Sequence, residues 1–167
     1  MTEDAARPPD LVDRIMGEWA AAYADLDVSP IGILGRVQRI ASVTSAQLDR
    51  NLEAHGIGRS EFDVLGALVR ATRPLRASEV VSTTMLSGAS VTKISDSLSR
   101  RGLLERRKSD RDGRVVLLVA TDEGRRLVDE EIPRRLEDDR RVLSALSGAE
   151  RGVLAELLRK ISMTLGE

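Results

Sequence analysis

Apolar residues recur at helical spacing through the first third of the chain. From Leu11 to about Leu26 they return every three or four positions, which predicts a first amphipathic helix. Ser29 before Pro30 is typical of an N-cap and a helix start, and Gly56 and Gly58 are expected to end this second, longer helix. The apolar stripe of the second helix comprises Leu34, Val37, Ala41, Leu48 and Leu52.

Three further helices are predicted in the middle of the chain. Ser60 favours the start of a third helix, which Pro74 closes. A short helix is expected at about Ala77–Thr84. Ser87 then begins another helix, and Gly102 suits the left-handed position that follows its last turn. The buried stripe of this helix would be Val91, Ile94 and Leu98.

At residue 103 the pattern changes from helix to strand. Leu103–Lys108 and Val115–Ala120 predict the two strands of a hairpin. Ser109–Arg114 would form the connecting turn, in which Gly113 is available for a positive φ.

Two helices are predicted after the hairpin. Thr121, followed by two acidic residues, favours the start of a long helix that runs to about Leu146 and is kinked near Pro133. Ser147 and Glu150 have the spacing of a capping box, so a last helix is expected to begin there. Its apolar positions are Val153, Leu154, Leu157, Leu158 and Ile161.

This order of elements predicts a mainly α fold with a small β-hairpin wing. A short helix, a longer helix and a hairpin in succession are typical of a winged helix-turn-helix domain. The flanking helices carry more apolar stripes than one small domain can cover, so they would supply a helical dimerisation region. We expect a flexible N-terminus over residues 1–10, N-terminal dimerisation helices over 11–58, a DNA-binding lobe over 59–120 and C-terminal dimerisation helices over 121–167. At 167 residues, these parts are expected to form one compact unit.

The composition argues against several classes of function. There is no cysteine, and His55 is the only histidine, so a metal centre and a Ser-His-Asp triad are both poorly supplied. No phosphate-binding glycine motif is present, and we expect no catalytic residues and no cofactor. The apolar runs are far shorter than the roughly 20 residues that cross a bilayer, and a basic signal segment is absent, so no membrane partner and a cytoplasmic location are expected.

Positive charge is concentrated in one part of the chain, although the formal net charge is only −1. Residues 100–114 carry seven basic side chains against three acidic ones. Like charges repel across a solvated turn, whereas a hairpin tip that enters a groove lined by phosphates needs them. The hairpin therefore favours binding to double-stranded DNA.

The run SVTKISDSLSRRGLLERRKSDRDGRVVLLVATDEGRRL, from Ser90 to Leu127, resembles the MarR family of winged-helix transcriptional regulators. The likeness lies in the recognition helix, the glycine and hydrophobic pair after it, the Asp-x-Arg of the wing and the Thr-x-x-Gly that starts the next helix. It implies a homodimeric transcriptional regulator, normally a repressor, that binds a palindromic DNA operator and is released by a small-molecule effector.

The resemblance assigns DNA contacts to the recognition helix and to the wing. Arg114 would enter the minor groove, and Asp112 would orient it. Arg76 and Ser97 depart from the family pattern, which usually has a Ser or Thr cap at the first position and often an arginine at the second. The implied DNA-binding residues are Ser87, Ala89, Ser90, Thr92, Lys93, Arg107, Lys108, Arg111, Asp112 and Arg114.

The N-terminal extension is similar to that of the urate-responsive subgroup of the same family. This likeness implies a planar anionic ligand held by Trp19, Asp63 and Arg70, since an indole stacks on rings and a guanidinium binds anions. The residues by themselves also allow Trp19 as a core anchor, Asp63 as the third residue of its helix and Arg70 as a solvated cation. A helical dimerisation or scaffold protein without DNA binding is the alternative function, although it would leave the basic hairpin unexplained.

Overall fold

The computed structural model describes residues 8–109 and 112–165, which form seven helices and one three-stranded sheet. The helices are α1 (Leu11–Ala22), α2 (Ser29–Glu53), α3 (Arg59–Arg70), α4 (Ala77–Thr83), α5 (Gly88–Arg100), α6 (Asp122–Val142) and α7 (Gly148–Ser162). The strands are β1 (Leu75–Arg76), β2 (Leu104–Lys108) and β3 (Val116–Ala120). The chain divides into two compact units, residues 1–46 and residues 47–167. The predicted mainly α fold with a winged helix-turn-helix is confirmed.

The first unit contains α1 and most of α2, which are joined by a charged cluster. Asp10 caps α1 by accepting from the backbone N–H of Asp13 at 2.9 Å, and the Asp13 carboxylate accepts from the N–H of Asp10 at 3.0 Å. Arg36 of α2 donates to both carboxylates, at 3.0 and 2.7 Å. The guanidinium lowers the pKa of Asp13, so the pair stays ionised at neutral pH.

Both helices of the first unit differ from the sequence prediction at one end. The first helix ends at Ala22 rather than near Leu26, and Tyr23 caps it through a backbone bond to the carbonyl of Trp19. Ser29 lies inside α2 rather than before it, because the Asp27 carboxylate accepts from the Ser29 N–H at 2.9 Å. An acid two residues earlier therefore takes the role that the sequence assigned to the serine.

The second unit has an apolar core between α3, α5 and the sheet. Phe62, Leu65, Leu98 and Leu104 are almost completely buried there. The sheet has the order β1-β3-β2, with both pairings antiparallel. The hairpin strands each begin one residue later than predicted, and the two-residue strand β1, which pairs Leu75 with Leu118, was not predicted.

The start of α3 corrects the predicted cap at Ser60. The helix begins at Arg59, and Glu61 reaches back to accept from the backbone N–H of Gly58 at 3.0 Å. Asp63 therefore does not lie at the third helical position and does not serve the helix end. Its carboxylate is left available for another contact.

One junction joins the end of α5, the hairpin and the start of α6. Gly102 ends α5 with a φ of 73°, as predicted. The Thr121 hydroxyl donates to the Gly102 carbonyl at 2.7 Å and accepts from the Gly124 N–H at 3.1 Å. The Thr121 N–H donates to the Leu103 carbonyl at 3.2 Å. A side chain at position 124 would collide with that carbonyl, since an ideal Cβ would lie 2.1 Å from its oxygen.

The C-terminal helices follow the predicted pattern with one difference. The helix α6 ends at Val142, earlier than the predicted Leu146, whereas Ser147 and Glu150 form the predicted capping box of α7. No residue of α7 is buried, and its apolar side chains lie exposed. Within the described part of the chain, no helix is both long and apolar enough to span a membrane.

We expect Gly124→Ala to lower the free energy of unfolding by roughly 1–3 kcal/mol, because the new methyl group must force α6 away from the Leu103 carbonyl. Urea denaturation followed by circular dichroism measures this loss. Gly148→Ala is the matched control, since no atom lies within 4 Å of the added Cβ. Equal stability of the two variants would contradict the close approach.

Candidate nucleic-acid interface and ligand pocket

The helix α5 presents the predicted contact residues on its exposed side. Ser87 caps the helix by accepting from the Ser90 N–H at 3.2 Å, and the two hydroxyls lie 2.9 Å apart. Ala89 is exposed, and Thr92 and Lys93 extend the same surface. Opposite them, the buried residues of the helix are Val91, Ser95 and Leu98.

The polar groups on this surface have distinct hydrogen-bonding roles. The Thr92 hydroxyl donates to the Gly88 carbonyl at 3.0 Å, so its lone pairs remain available to accept from a ligand. Lys93 has no ion-pair partner among the described residues and can donate. The first two turns of α5 therefore offer both an acceptor and a cationic donor.

The tip of the hairpin is a tight turn organised by Asp112. The Val115 N–H donates to the Asp112 carbonyl at 2.9 Å, and the Arg114 N–H donates to the Asp112 carboxylate at 3.0 Å. Asp112 thus fixes the backbone of Arg114, while the guanidinium makes no ion pair with Asp112. The predicted positive φ at Gly113 is wrong, since the two glycines with positive φ among the described residues are Gly56 and Gly102. Turns closed in this way accept negative φ at both central residues.

The basic side chains of β2 point in alternating directions. Arg106 forms an ion pair with Asp96 of α5 at 2.6 Å, so it ties the wing to the recognition helix. Arg107 pairs with Glu105 and lies on the other side of the strand. Lys108 is exposed near the tip, and Arg111 lies outside the described residues. The sequence reasoning counted Arg106 among the basic residues of the hairpin but missed its ion pair with Asp96, which lies ten residues earlier in the chain.

The start of α4 is capped from within the helix. Arg76 provides no side-chain cap, but the Glu79 carboxylate accepts from the Arg76 N–H at 2.7 Å. The Arg73 guanidinium and this N–H lower the pKa of Glu79 to about 2. The carboxylate is therefore ionised at neutral pH. Although Arg76 replaces the usual Ser or Thr cap, its backbone N–H at the start of α4 still has a hydrogen-bond acceptor.

Asp63 and Arg70, which the sequence assigned to a ligand, line one cavity of 380 Å³. Ser82, Thr83, Thr84 and Met85 also line this cavity. Neither charged side chain forms an ion pair with another described residue. The three hydroxyls donate to carbonyl oxygens of α4, so they offer lone pairs to a ligand.

Trp19, the third predicted ligand residue, belongs to the first unit. Its ring stacks on Tyr23 with the centroids 5.6 Å apart, and 48% of the residue is exposed. An indole this exposed within its unit is not a core anchor. It is available to a planar partner.

Comparisons with known proteins identify the family. A profile of the MarR family matches residues 55–115, which include α3 to α5 and the first strand and tip of the wing. The HTH-type transcriptional regulator PecS of Dickeya dadantii is 30% identical over 156 residues, which cover 92% of this chain and 94% of PecS. The chain belongs to the MarR family.

Two other proteins are similar to this chain over most of their length. The transcriptional repressor MprA of Escherichia coli K12 is 26% identical over 157 residues, covering 93% of this chain and 89% of MprA. The structure of Bordetella bronchiseptica BpsR, whose DNA binding is regulated by 6-hydroxynicotinic acid, is 28% identical. The matched region covers 78% of this chain and 92% of the BpsR chain, with a TM-score of 0.68. This MarR-family chain is a DNA-binding transcriptional regulator.

One cluster in this MarR-family chain has the residue types of a cation site. His55, Glu130 and Glu131 each offer an atom within 4.8 Å of the others. Glu131 is completely buried, lies 2.9 Å from His55 and accepts from Arg134 at 2.7 Å. Because Arg134 also donates to Glu130 at 2.8 Å, its guanidinium supplies the positive charge that these carboxylates require.

Proposed function

We propose that this MarR-family protein is a homodimeric repressor, which binds a palindromic operator and leaves it when a small anionic aromatic molecule binds. The observation that carries the proposal is the exposed polar face of α5 beside a wing that α5 itself holds through Asp96 and Arg106. We propose no catalytic role. Because the target is chromosomal DNA, we expect the protein to act in the cytoplasm.

The two DNA-reading elements would enter different grooves. At the start of α5, the small Ala89 allows close approach to the major groove, where Thr92 can accept from a base amino group and Lys93 can donate to guanine. The turn at Asp112 would present Arg114 to the narrow minor groove, whose negative potential attracts a guanidinium. Lys108 would contact phosphate beside it.

Exposed apolar side chains support the homodimer. A helix-turn-helix reads a short half-site, so a palindrome requires two copies related by two-fold symmetry. Apolar surface of this extent is rarely left exposed to water in a monomer. The first unit exposes Trp19, Ile33, Leu34, Val37, Ile40 and Val43, and α7 exposes Val153, Leu154, Leu157, Leu158 and Ile161.

The proposed effector site is the cavity lined by Asp63 and Arg70. An anionic group would bind Arg70, while ring N–H or hydroxyl donors would face Asp63 and the hydroxyls of residues 82–84. Trp19 is proposed as an additional ligand contact through ring stacking. BpsR responds to an aromatic carboxylic acid, which supports this ligand class. The segment 82–85 leads directly to Ser87, so a ligand that moves it would shift the cap of α5.

The proposal that this protein represses transcription is supported by its similarity to MprA, which is a transcriptional repressor. A dimer seated on an operator would block access of the transcription machinery to the promoter. The alternative, a helical scaffold without DNA binding, predicts dimerisation but no affinity for duplex DNA even at low salt. Titration of labelled DNA at two salt concentrations separates the two functions, since phosphate contacts make true binding salt-dependent.

We expect Leu157→Lys to weaken the homodimer, because an uncompensated ammonium in an apolar interface costs about 3–5 kcal/mol. Analytical ultracentrifugation measures the shift from dimer to monomer. Glu156→Lys places an ammonium one residue earlier, at a position that is already charged, and should leave the dimer intact. If both variants dimerise equally strongly, α7 is not part of the dimer interface.

We expect Arg114→Ala to weaken DNA binding by about 1–3 kcal/mol while the dimer stays intact, because the minor-groove contact is lost. Fluorescence anisotropy with duplex DNA selected from a random pool measures the change. Arg126→Ala removes the same charge from α6, where Arg126 pairs with Glu123, and serves as the control. If the two variants bind DNA equally well, the wing does not enter the groove. The selected DNA should be palindromic.

We expect 6-hydroxynicotinate or urate to raise the melting temperature and to release DNA from the unmodified protein. Arg70→Ala should weaken this response at least about tenfold, because a charge-assisted contact is lost. Trp19→Ala should weaken it as well if the indole stacks on the ligand. Arg126→Ala is again the control, and an unchanged response in Arg70→Ala would locate the ligand elsewhere.

A further inference from the structure

A second cavity, which we call the back cleft, lies behind the wing. Its apolar floor includes Leu68 and Leu118, and its rim carries Thr72, Arg73, Arg107 and Arg125. The volume is 210 Å³, and a cavity of 410 Å³ adjoins it and shares Arg107 and Arg125. None of these residues lines the cavity at Asp63 and Arg70.

Three guanidinium groups line the back cleft, whereas the carboxylates of Glu105 and Asp122 line the adjoining cavity that shares Arg107 and Arg125. Arg73 is held by Glu79 and by the Pro74 carbonyl, and Arg107 pairs with Glu105. Arg125 has no ion-pair partner among the described residues. Each guanidinium has five N–H donors, so the two paired arginines retain donors beyond those that their acids occupy.

The position of the cleft follows from the alternating directions of the side chains along β2. Arg106 points to α5, where it pairs with Asp96, so the next residue, Arg107, points to the opposite side of the strand. There it meets Arg125 from the first turn of α6 and Arg73 from the loop after α3. Because Glu79 and Glu105 already pair with Arg73 and Arg107, the unpaired Arg125 supplies the positive charge that an anion in the cleft would neutralise.

We propose that the back cleft binds a phosphate-type oxyanion through Arg73, Arg107 and Arg125. Guanidinium forks match the geometry of phosphate oxygens, and several forks around one cavity can bind all sides of the group. The cavity is smaller than the roughly 300–1,000 Å³ of most small-molecule sites, so it fits a single phosphate group. The group can come from free phosphate or from the DNA backbone, and both sources require Arg125.

The first experiment measures the melting temperature in millimolar inorganic phosphate against sodium chloride of equal ionic strength. Arg125→Gln is the test variant, because it keeps an exposed polar side chain and removes the unpaired charge. Arg126→Gln is its neighbour on α6, loses the same charge and lies outside the cleft. A saturable rise in the unmodified protein and in Arg126→Gln, shifted at least about tenfold in phosphate concentration in Arg125→Gln, supports free phosphate.

The second experiment measures DNA affinity against salt concentration for the same variants. A salt slope reduced by about one in Arg125→Gln, but not in Arg126→Gln, supports a phosphate of the DNA backbone as the occupant. Identical behaviour of the two variants in both experiments would overturn the proposal. A phosphate response that persists unchanged in Arg125→Gln would exclude free phosphate as the occupant, since kosmotropic phosphate also stabilises proteins without a site.

Discussion

The close approach of α6 to the Leu103 carbonyl is the constraint on which α5 and the wing depend. It requires a glycine at 124, because a Cβ there would lie 2.1 Å from the carbonyl oxygen. Thr121 completes the junction by bonding to Gly102, where α5 has just ended, and to Leu103, where the hairpin is about to begin. The recognition helix, both wing strands and α6 thus meet at one hydrogen-bonded point.

The wing is held at its base, its middle and its tip by contacts within the chain. The junction fixes the base, and the pair between Arg106 and Asp96 joins β2 to α5. At the tip, Asp112 binds the backbone N–H of Arg114 and leaves the guanidinium to other partners. Pre-ordered contacts of this kind reduce the conformational entropy that binding would otherwise cost. The surface pair is weak by itself, so its role is orientation more than stability.

Structural features that depend on residues close together in the sequence were predictable. Ser87 and Ser147 cap their helices as expected, since a serine three residues from the amide it binds leaves a local signature. Caps at Asp27 and Gly58 were missed, because in each a carboxylate two or three residues away displaced the serine that the sequence favoured. Strand β1 was missed because two residues have no periodicity, and Leu75 becomes a strand residue only by pairing with β3.

Apart from strand β1, the sequence alone determined the order of helices and strands, the apolar stripes, the basic hairpin and its resemblance to the MarR family. Those properties depend on the residue types and on their spacing along the chain, and both can be read from the sequence. Only the tertiary structure decided that the hydroxyls of residues 82–84 line the cavity of Asp63 and Arg70. It also decided that Arg106 turns to the recognition helix while Arg107 joins Arg73 and Arg125. These groupings bring together side chains distant in sequence, and their directions follow from strand register and helix packing, which no local pattern encodes.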